Sequence, residues 1–277
     1  MPQLILVHVG DTFPTYINTC IAQIQSVSNI QIHVLISSQH LDKLKGGVCT
    51  FPLEMISKGT KHLQFEKHSK LDSKFRNGFW KYAMLRFFFI YDHMTAHSLT
   101  DVFHIEYDNL IYFDFTTCLP AFQTKSMWCV MDAPTRCIPS FLYFKMPNIL
   151  SSMLDTCLKC AHKGENDMMA LAKFKHNNPD VGNLPIVTNY CDPIHTMYSM
   201  HADVFHCLFD GAAIGQYVGG VDPRNIAGDT TGFINETAVV KCDKMTFEWR
   251  NNKPFLNGLP LVNLHIHSKD LNRYSTF

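Results

Sequence analysis

Phe103-His104-Ile105-Glu106-Tyr107-Asp108-Asn109-Leu110-Ile111-Tyr112 is the stretch whose reading decides the fold. The apolar run from Val102 to Ile105 ends in two acids one residue apart, and a second apolar run opens at Leu110. The first run predicts a short buried strand. Residues i and i+2 of a strand share a face, so Glu106 and Asp108 point together off the strand end. Two carboxylates so placed can hold a divalent cation, and the cation can clamp a diphosphate. A solvated turn after a strand gives the same pattern, so the surrounding chain has to choose between the two.

Upstream, Phe79 to Met94 predicts a helix, because Trp80, Ala83, Met84, Phe87, Ile90, Tyr91 and Met94 recur on one face. Arg86 lies inside that segment among aromatic neighbours, either as a surface ion-pair partner or as a ligand contact. Further upstream, Leu4 to Val9 is a continuous apolar run that reads as a central parallel strand. Gly10-Asp11-Thr12-Phe13-Pro14 follows as a turn. A helix then runs through Ile17, Cys20, Ile21, Ile24 and Val27, with Thr12 or Thr15 as its expected cap. Ile30 to Ile36 is a second strand, which completes a right-handed βαβ unit. Gly10 has no partners in a Gly-x-Gly-x-x-Gly pattern, which argues against a classical dinucleotide site. A ligand can still bind beyond the carboxyl end of that strand.

Downstream, Met127 to Met131 and Phe141 to Phe144 read as strands, and Ile149 to Leu158 and Asp167 to Phe174 as helices split by Gly164. Asp167 stands at a helix start, where an acid caps and favours the dipole or serves as a site carboxylate. Residues 175–195 read as loop, with Asn and Pro turn signals. The segment from Phe209 to Asn225 is rich in glycine but has no Walker lysine; its small residues Ala212, Ala213 and Gly215 suggest close helix packing, with Asp210 as a cap. Asp229, Asn235 and Glu236 follow as turn residues or sugar contacts, and the Asn235-Glu236-Thr237 sequon is read as coincidental. Leu261 to Lys269 reads as an alternating strand with His265 and His267 on one face, closing on Ser268-Lys269.

Composition narrows the classes. The chain has 277 residues, 46% hydrophobic and 17% charged, which describes a globular protein with a large core. Lys plus Arg equals Asp plus Glu at 24 each, so no global field steers it to nucleic acid or anionic membrane. No window approaches the roughly 18 apolar residues of a membrane span, and no secretory signal opens the chain. The ten cysteines are expected as free thiols in a reducing, cytoplasmic setting, and Cys157-x-x-Cys160 as two residues of one helix.

Three separated features carry a family resemblance. They are the opening βαβ unit with its Gly10-Asp11-Thr12 loop, the Ala83-Met84-Leu85-Arg86-Phe87-Phe88 helix leading to Glu106-x-Asp108, and the terminal His265-Ile266-His267-Ser268-Lys269. In order and spacing they resemble nucleotide-sugar glycosyltransferases of the GT-A fold across most of the chain. The chain is similar to small soluble glycosyltransferases of large DNA viruses and bacteria in Asp210-Gly211-Ala212-Ala213, in Gly232-Phe233-Ile234-Asn235-Glu236 and in Leu264 to Lys269. A viral origin would place it in host cytoplasm.

The resemblance implies one α/β domain over 1–277, Rossmann-like, with a mostly parallel sheet flanked by helices. Its nucleotide-binding half would end at about residue 115 and its acceptor-binding half would follow. It implies a hexosyl- or N-acetylhexosaminyltransferase using a UDP-sugar donor, Mn²⁺ or Mg²⁺, and a glycan or protein-linked acceptor hydroxyl. Gly10, Asp11 and Thr12 would hold the nucleoside, and Arg86, Glu106, Tyr107 and Lys269 the rest of the donor. Asp108 would bind the metal with Glu106 and with His265 or His267, the latter favoured; imidazole leans towards Mn²⁺. In related folds the Glu106 position touches the ribose. An inverting reaction needs a base, for which Asp167, Asp210, Asp222 and Asp229 are candidates; the glycogenin-like ending leans towards retention, which needs none. Two rival readings use the same residues: a nucleotide-sugar or glycan-binding protein without turnover, and a metal-dependent nucleotidyltransferase or phosphodiesterase.

Overall fold

Leu4, Ile5, Leu6 and Val7 are all buried in the computed structural model, so β1 (Gln3–His8) has no solvent face and sits mid-sheet. The structure describes residues 1–188, 193–222 and 245–277. Asp229, Asn235, Glu236 and the Gly232–Glu236 stretch lie outside the described residues. After β1 come α1 (Ile17–Val27), β2 (Gln31–Ile36), β3 (Cys49–Pro52), α2 (Thr60–His68) and α3 (Phe79–Ala96). Then follow β4 (Val102–Ile105), β5 (Asn109–Ile111), the short α4 (Leu119–Phe122), β6 (Met127–Ala133) and β7 (Arg136–Phe144). The chain continues through α5 (Pro147–His162), α6 (Asp167–His176), β8 (Val181–Asn183), α7 (Ala202–Phe205) and α8 (Ala213–Gly219). It ends in β9 (Phe247–Arg250), β10 (Lys253–Leu256), β11 (Leu259–Pro260) and β12 (Asn263–His265).

Seven strands form the central sheet in the order β3-β2-β1-β4-β7-β6-β8. Every neighbouring pair is parallel except those of β7, which runs against β4 and β6. This is the mostly parallel α/β sheet flanked by helices that the sequence predicts. β9, β10 and β11 make a small antiparallel sheet, and among the described residues β12 pairs only with β5. Among the described residues no helix is long and apolar enough to cross a membrane.

Several elements differ from their sequence expectation, each for a physical reason. Neither Thr12 nor Thr15 caps α1; the Pro14 carbonyl accepts the Ile17 N–H instead, at 2.9 Å. α3 is buried all round from Met84 to Ile90 rather than on one stripe, because β1, α2, α5 and α6 all pack on it. β7 is longer than its apolar run, since the hairpin with β6 extends it back to Arg136. The strand expected over Leu261–Lys269 is confined to Asn263–His265, because the chain turns at Ile266, whose carbonyl accepts the Lys269 N–H at 3.0 Å. Cys157 and Cys160 are both buried free thiols on α5.

β8 lies in a stretch read as loop. Its Gly182 pairs with Trp128 of β6, and a Cβ there would lie 2.3 Å from the indole ring. The fully buried Trp128 donates its Nε1–H to the Phe122 carbonyl at 2.7 Å and so cannot easily yield. Gly182→Ala is therefore expected to lower stability by about 1–3 kcal/mol through overpacking. Denaturant unfolding followed by tryptophan fluorescence measures it; an unchanged midpoint would show that the indole shifts freely.

Candidate active site

β4 delivers its chain end beside β1, and the three residues after it form a tight turn before β5. The Asn109 N–H bonds the Glu106 carbonyl at 3.1 Å, which closes the turn with Tyr107 and Asp108 inside it. Antiparallel pairing of β5 with β12 sets Asn109 opposite His265, and the Ile266 N–H bonds the Asp108 carbonyl at 2.8 Å. A histidine 157 positions from Asp108 thereby reaches the acidic turn.

His265 Nε2 lies 3.1 Å from Asp108 Oδ1 and 3.4 Å from Glu106 Oε2. The three donor atoms all lie within 4.8 Å of one another, as one cation would require. Side-chain exposure is 22% for Glu106, 10% for Asp108 and 5% for His265, so the cluster opens on the Glu106 side. His265 Nδ1 is 2.7 Å from the Gly211 carbonyl. A carbonyl only accepts, so Nδ1 carries a proton and Nε2 faces the carboxylates. Burial opposes charge on His265, but Asp108 and then Glu106 outweigh it and raise its pKa to about 9. Two carboxylate oxygens and one imidazole nitrogen make a donor set that a divalent cation could use.

Two further cations serve the carboxylates. Lys269 Nζ contacts Asp108 Oδ2. Burial works against the Asp108 charge, yet His265 and Lys269 hold its carboxyl well below the usual range. Arg86 places one guanidinium nitrogen 2.5 Å from Glu106 Oε1 and the other 3.0 Å from Asp167 Oδ2. Arg86 is accordingly a buried bridge rather than a surface ion-pair partner. The neighbouring Asn166 caps α6 by accepting the Met169 N–H at 3.1 Å, which leaves Asp167 to face Arg86.

The turn also meets the loop that follows β1. Tyr107 OH is 2.9 Å from His8 Nδ1 at the end of β1, and the Tyr107 ring lies 5.6 Å from that of Tyr16. Gly10 follows at once, with its carbonyl 3.3 Å from His40 Nε2; Asp11 and Thr12 are exposed. The structure therefore brings the Gly10–Thr12 loop, Tyr107, Glu106, Asp108, Lys269, Arg86 and Asp167 into one neighbourhood.

His267, the favoured ligand on sequence grounds, does not join the carboxylate cluster. The strand ends at His265; the two rings lie 4.1 Å apart, and only the His265 ring has a donor atom within the Glu106–Asp108 cluster. Burial, then His265 and Lys269, depress the His267 pKa well below its usual value. Asp210 is buried, with both oxygens engaged by the Ile214, Gly215 and His265 N–H groups. Asp222 approaches Arg76 at 3.6 Å. Sequence reading missed Gly211, Asn109, Asn263 and Ser140. Asn263 interrupts the apolar run from Leu261 to Leu264, and a buried amide inside such a run signals a hydrogen-bonding role; Asn109, just ahead of Leu110, carries no such signal.

Asp167 supplies a test of the site's electrostatics. Burial pushes its carboxyl up to about 6, although Arg86 pulls the other way. Its folded pKa exceeds the unfolded value, so its stabilising contribution is complete below pH 4 and is lost as pH rises through 6. Asp167→Asn removes that loss. Its stability relative to wild type is expected to improve between pH 4 and pH 7 by on the order of 2–3 kcal/mol. Paired denaturant titrations across this range measure it; a flat or falling difference would mean that Arg86 outweighs burial.

No family model matches the chain, and no curated protein matches it in sequence. Solved structures do resemble it. Mouse xyloside xylosyltransferase 1, in its apo form, superposes with a TM-score of 0.50 at 9% identity, covering 74% of this chain and 93% of that one. The galactosyltransferase LgtC, in complex with donor and acceptor sugar analogs, gives 0.47 at 10% identity over 72% and 83% of the two chains. At 9% identity the likeness to the xylosyltransferase is one of architecture alone, a mostly parallel sheet flanked by helices: this chain has the fold of the GT-A-type glycosyltransferases.

Proposed function

We propose that the protein transfers a sugar from a nucleotide-sugar donor, with UDP as the expected nucleotide, to a hydroxyl of a glycan or protein-linked acceptor in the cytoplasm. The observation that carries the reading is the Glu106–Asp108–His265 cluster at the end of β4, with Lys269 on Asp108 and Arg86 on Glu106. A carboxylate pair next to a βαβ loop is where a diphosphate bridged by a cation would sit. The free thiols among the described cysteines favour a reducing compartment. The likeness of Asp210–Ala213 and Leu264–Lys269 to small viral and bacterial glycosyltransferases belongs to the same reading.

Asp108, Glu106 and His265 would hold a divalent cation, Mn²⁺ by donor type. When bound, the cation supplies Lewis-acid neutralisation of the charge that grows on the departing diphosphate. Lys269 adds a point charge on the same side, released from Asp108 to the phosphate. Arg86 holds Glu106 and Asp167 in fixed directions, so neither needs to reorganise as charge develops. Tyr107, braced by His8 and Tyr16, keeps the acidic turn against the nucleoside loop at Gly10, Asp11 and Thr12. Asp167 is the carboxylate best placed to orient the donor sugar or an acceptor, since one of its oxygens is unused. The engaged oxygens of Asp210 make it the weaker candidate base.

Thermal melting against UDP-, GDP- and CMP-sugars, with and without Mn²⁺, tests the reading, because a ligand of the native state raises the melting point by mass action. A Mn²⁺-dependent rise with a UDP-sugar, and nucleoside diphosphate as product when acceptor is added, is expected. Nucleoside monophosphate would point to phosphodiester chemistry instead, and no shift with any donor would overturn the proposal.

Two substitutions separate the roles. Asp108→Ala is expected to remove metal-dependent turnover while the circular dichroism spectrum is retained. Lys269→Ala is expected to slow turnover by roughly a hundredfold with little change in melting temperature. Wild-type rates in either variant would take that residue out of the site.

A further inference from the structure

We propose that Asp210 is a positioning residue for this metal centre: with Asn263 it seats the His265 backbone so that the Gly211 carbonyl holds the imidazole with Nε2 towards Glu106 and Asp108. The proposal rests on the reading of Glu106, Asp108 and His265 as metal ligands.

Three backbone N–H groups converge on one buried carboxylate. Asp210 is 2% exposed; its Oδ2 accepts from His265 N at 2.9 Å and Gly215 N at 2.7 Å, and its Oδ1 from Ile214 N at 3.1 Å. One of these donors is the ligand's own backbone, and the next residue along, Gly211, contacts the ligand's ring. A single dipeptide therefore grips His265 at both main chain and side chain. Only a carboxylate serves here. An asparagine offers one oxygen, and its amide would set N–H against N–H at one or more of the three donors.

The grip extends to the other half of the site. Asn263 accepts the Asp210 N–H at 3.0 Å and donates Nδ2 both to the Asp210 carbonyl at 2.8 Å and to Asn109 Oδ1 at 2.7 Å. Asn109 follows Asp108 directly and donates its own amide to the Glu106 carbonyl at 3.1 Å and the Ser140 carbonyl at 3.2 Å. One hydrogen-bonded network thus runs from the carboxylate turn to the histidine, with both asparagines fully buried. An independent observation closes the remaining freedom. A Cβ on Gly215 would lie 2.0 Å from the His265 carbonyl oxygen, so α8 rests directly on the ligand's backbone. Partners that fix the ring orientation of a metal-binding histidine commonly govern affinity by 10–100-fold.

Mn²⁺ binding to the purified full chain, measured by isothermal titration calorimetry without any donor, is the test. Asp210→Asn is expected to bind Mn²⁺ roughly 10–100-fold more weakly while keeping a cooperative thermal transition. His265→Ala is the reference. If it binds Mn²⁺ as tightly as wild type, the ligand reading falls. If it weakens binding and folded Asp210→Asn matches wild type, the ligand reading stands and the positioning role falls. Should Asp210→Asn fail to fold, the wild-type imidazole decides. With ¹⁵N-histidine labelling and diamagnetic Cd²⁺, the resonances absent from His265→Gln are expected to show a protonated Nδ1 and a metal-shifted Nε2. Cadmium on Nδ1 with the proton on Nε2 would overturn the proposal.

Discussion

Glu106 and Asp108 carry two negative charges into a place that water reaches only from one side, and the surrounding structure answers to that constraint. Moving an unpaired carboxylate out of water costs several kcal/mol even after relaxation. The cost is met by cations from two distant parts of the chain: Arg86 from α3, and His265 from β12 with Lys269 from the turn beyond it. Each cation is itself constrained. Arg86 is held on its far side by Asp167, and Lys269 sits at a positive φ of 66° that brings its side chain back over the site. The same arrangement leaves two carboxylates and an imidazole with donor atoms close enough to share one cation.

The sheet supplies the geometry. β7, the one strand that runs against its neighbours, lies beside β4 and lends the Ser140 carbonyl to the Glu106 N–H at 3.3 Å and to the Asn109 amide. β5 then leaves the main sheet and, among the described residues, pairs with β12 alone, a two-stranded unit that would be marginal by itself. It persists because Leu110, Ile111, Leu264 and Ile266 are buried and because the Asn109–Asn263 bridge satisfies the amides between the strands. Packing and polar satisfaction therefore act together: the apolar residues keep the pair in place, and the amides fix its register.

Much of this architecture is legible along the chain. β1, β2, β4 and α3 stand out because runs such as Leu4–Val7 and Phe87–Ile90 are apolar enough to be buried whatever their neighbours. β8 is not legible, since Val181-Gly182-Asn183 has little apolar character and is a strand only because Gly182 fits against Trp128. Asp167 reads as an acid at a helix start; that Asn166 takes the cap and Asp167 the arginine is a matter of which side chain faces α3. The length of the last strand is likewise hidden, because alternation in Leu261–Lys269 does not disclose that a partner exists for three residues only.

By itself the sequence determined the α/β class, the opening βαβ unit, the acidic pair at a strand end, and the existence of an arginine and a terminal histidine–lysine group that could serve it. These follow from local rules: hydrophobic period, strand alternation and the chemistry of each side chain. Only the tertiary structure decided that His265 rather than His267 faces the carboxylates, that Arg86 bridges Glu106 to Asp167, and that the Asp210 carboxylate holds backbone. Each of these depends on contacts between residues far apart in the chain, such as Asp108 with His265 or Asp210 with His265. The strand pairing that makes them is fixed by burial on both sides at once, which no single stretch of sequence contains.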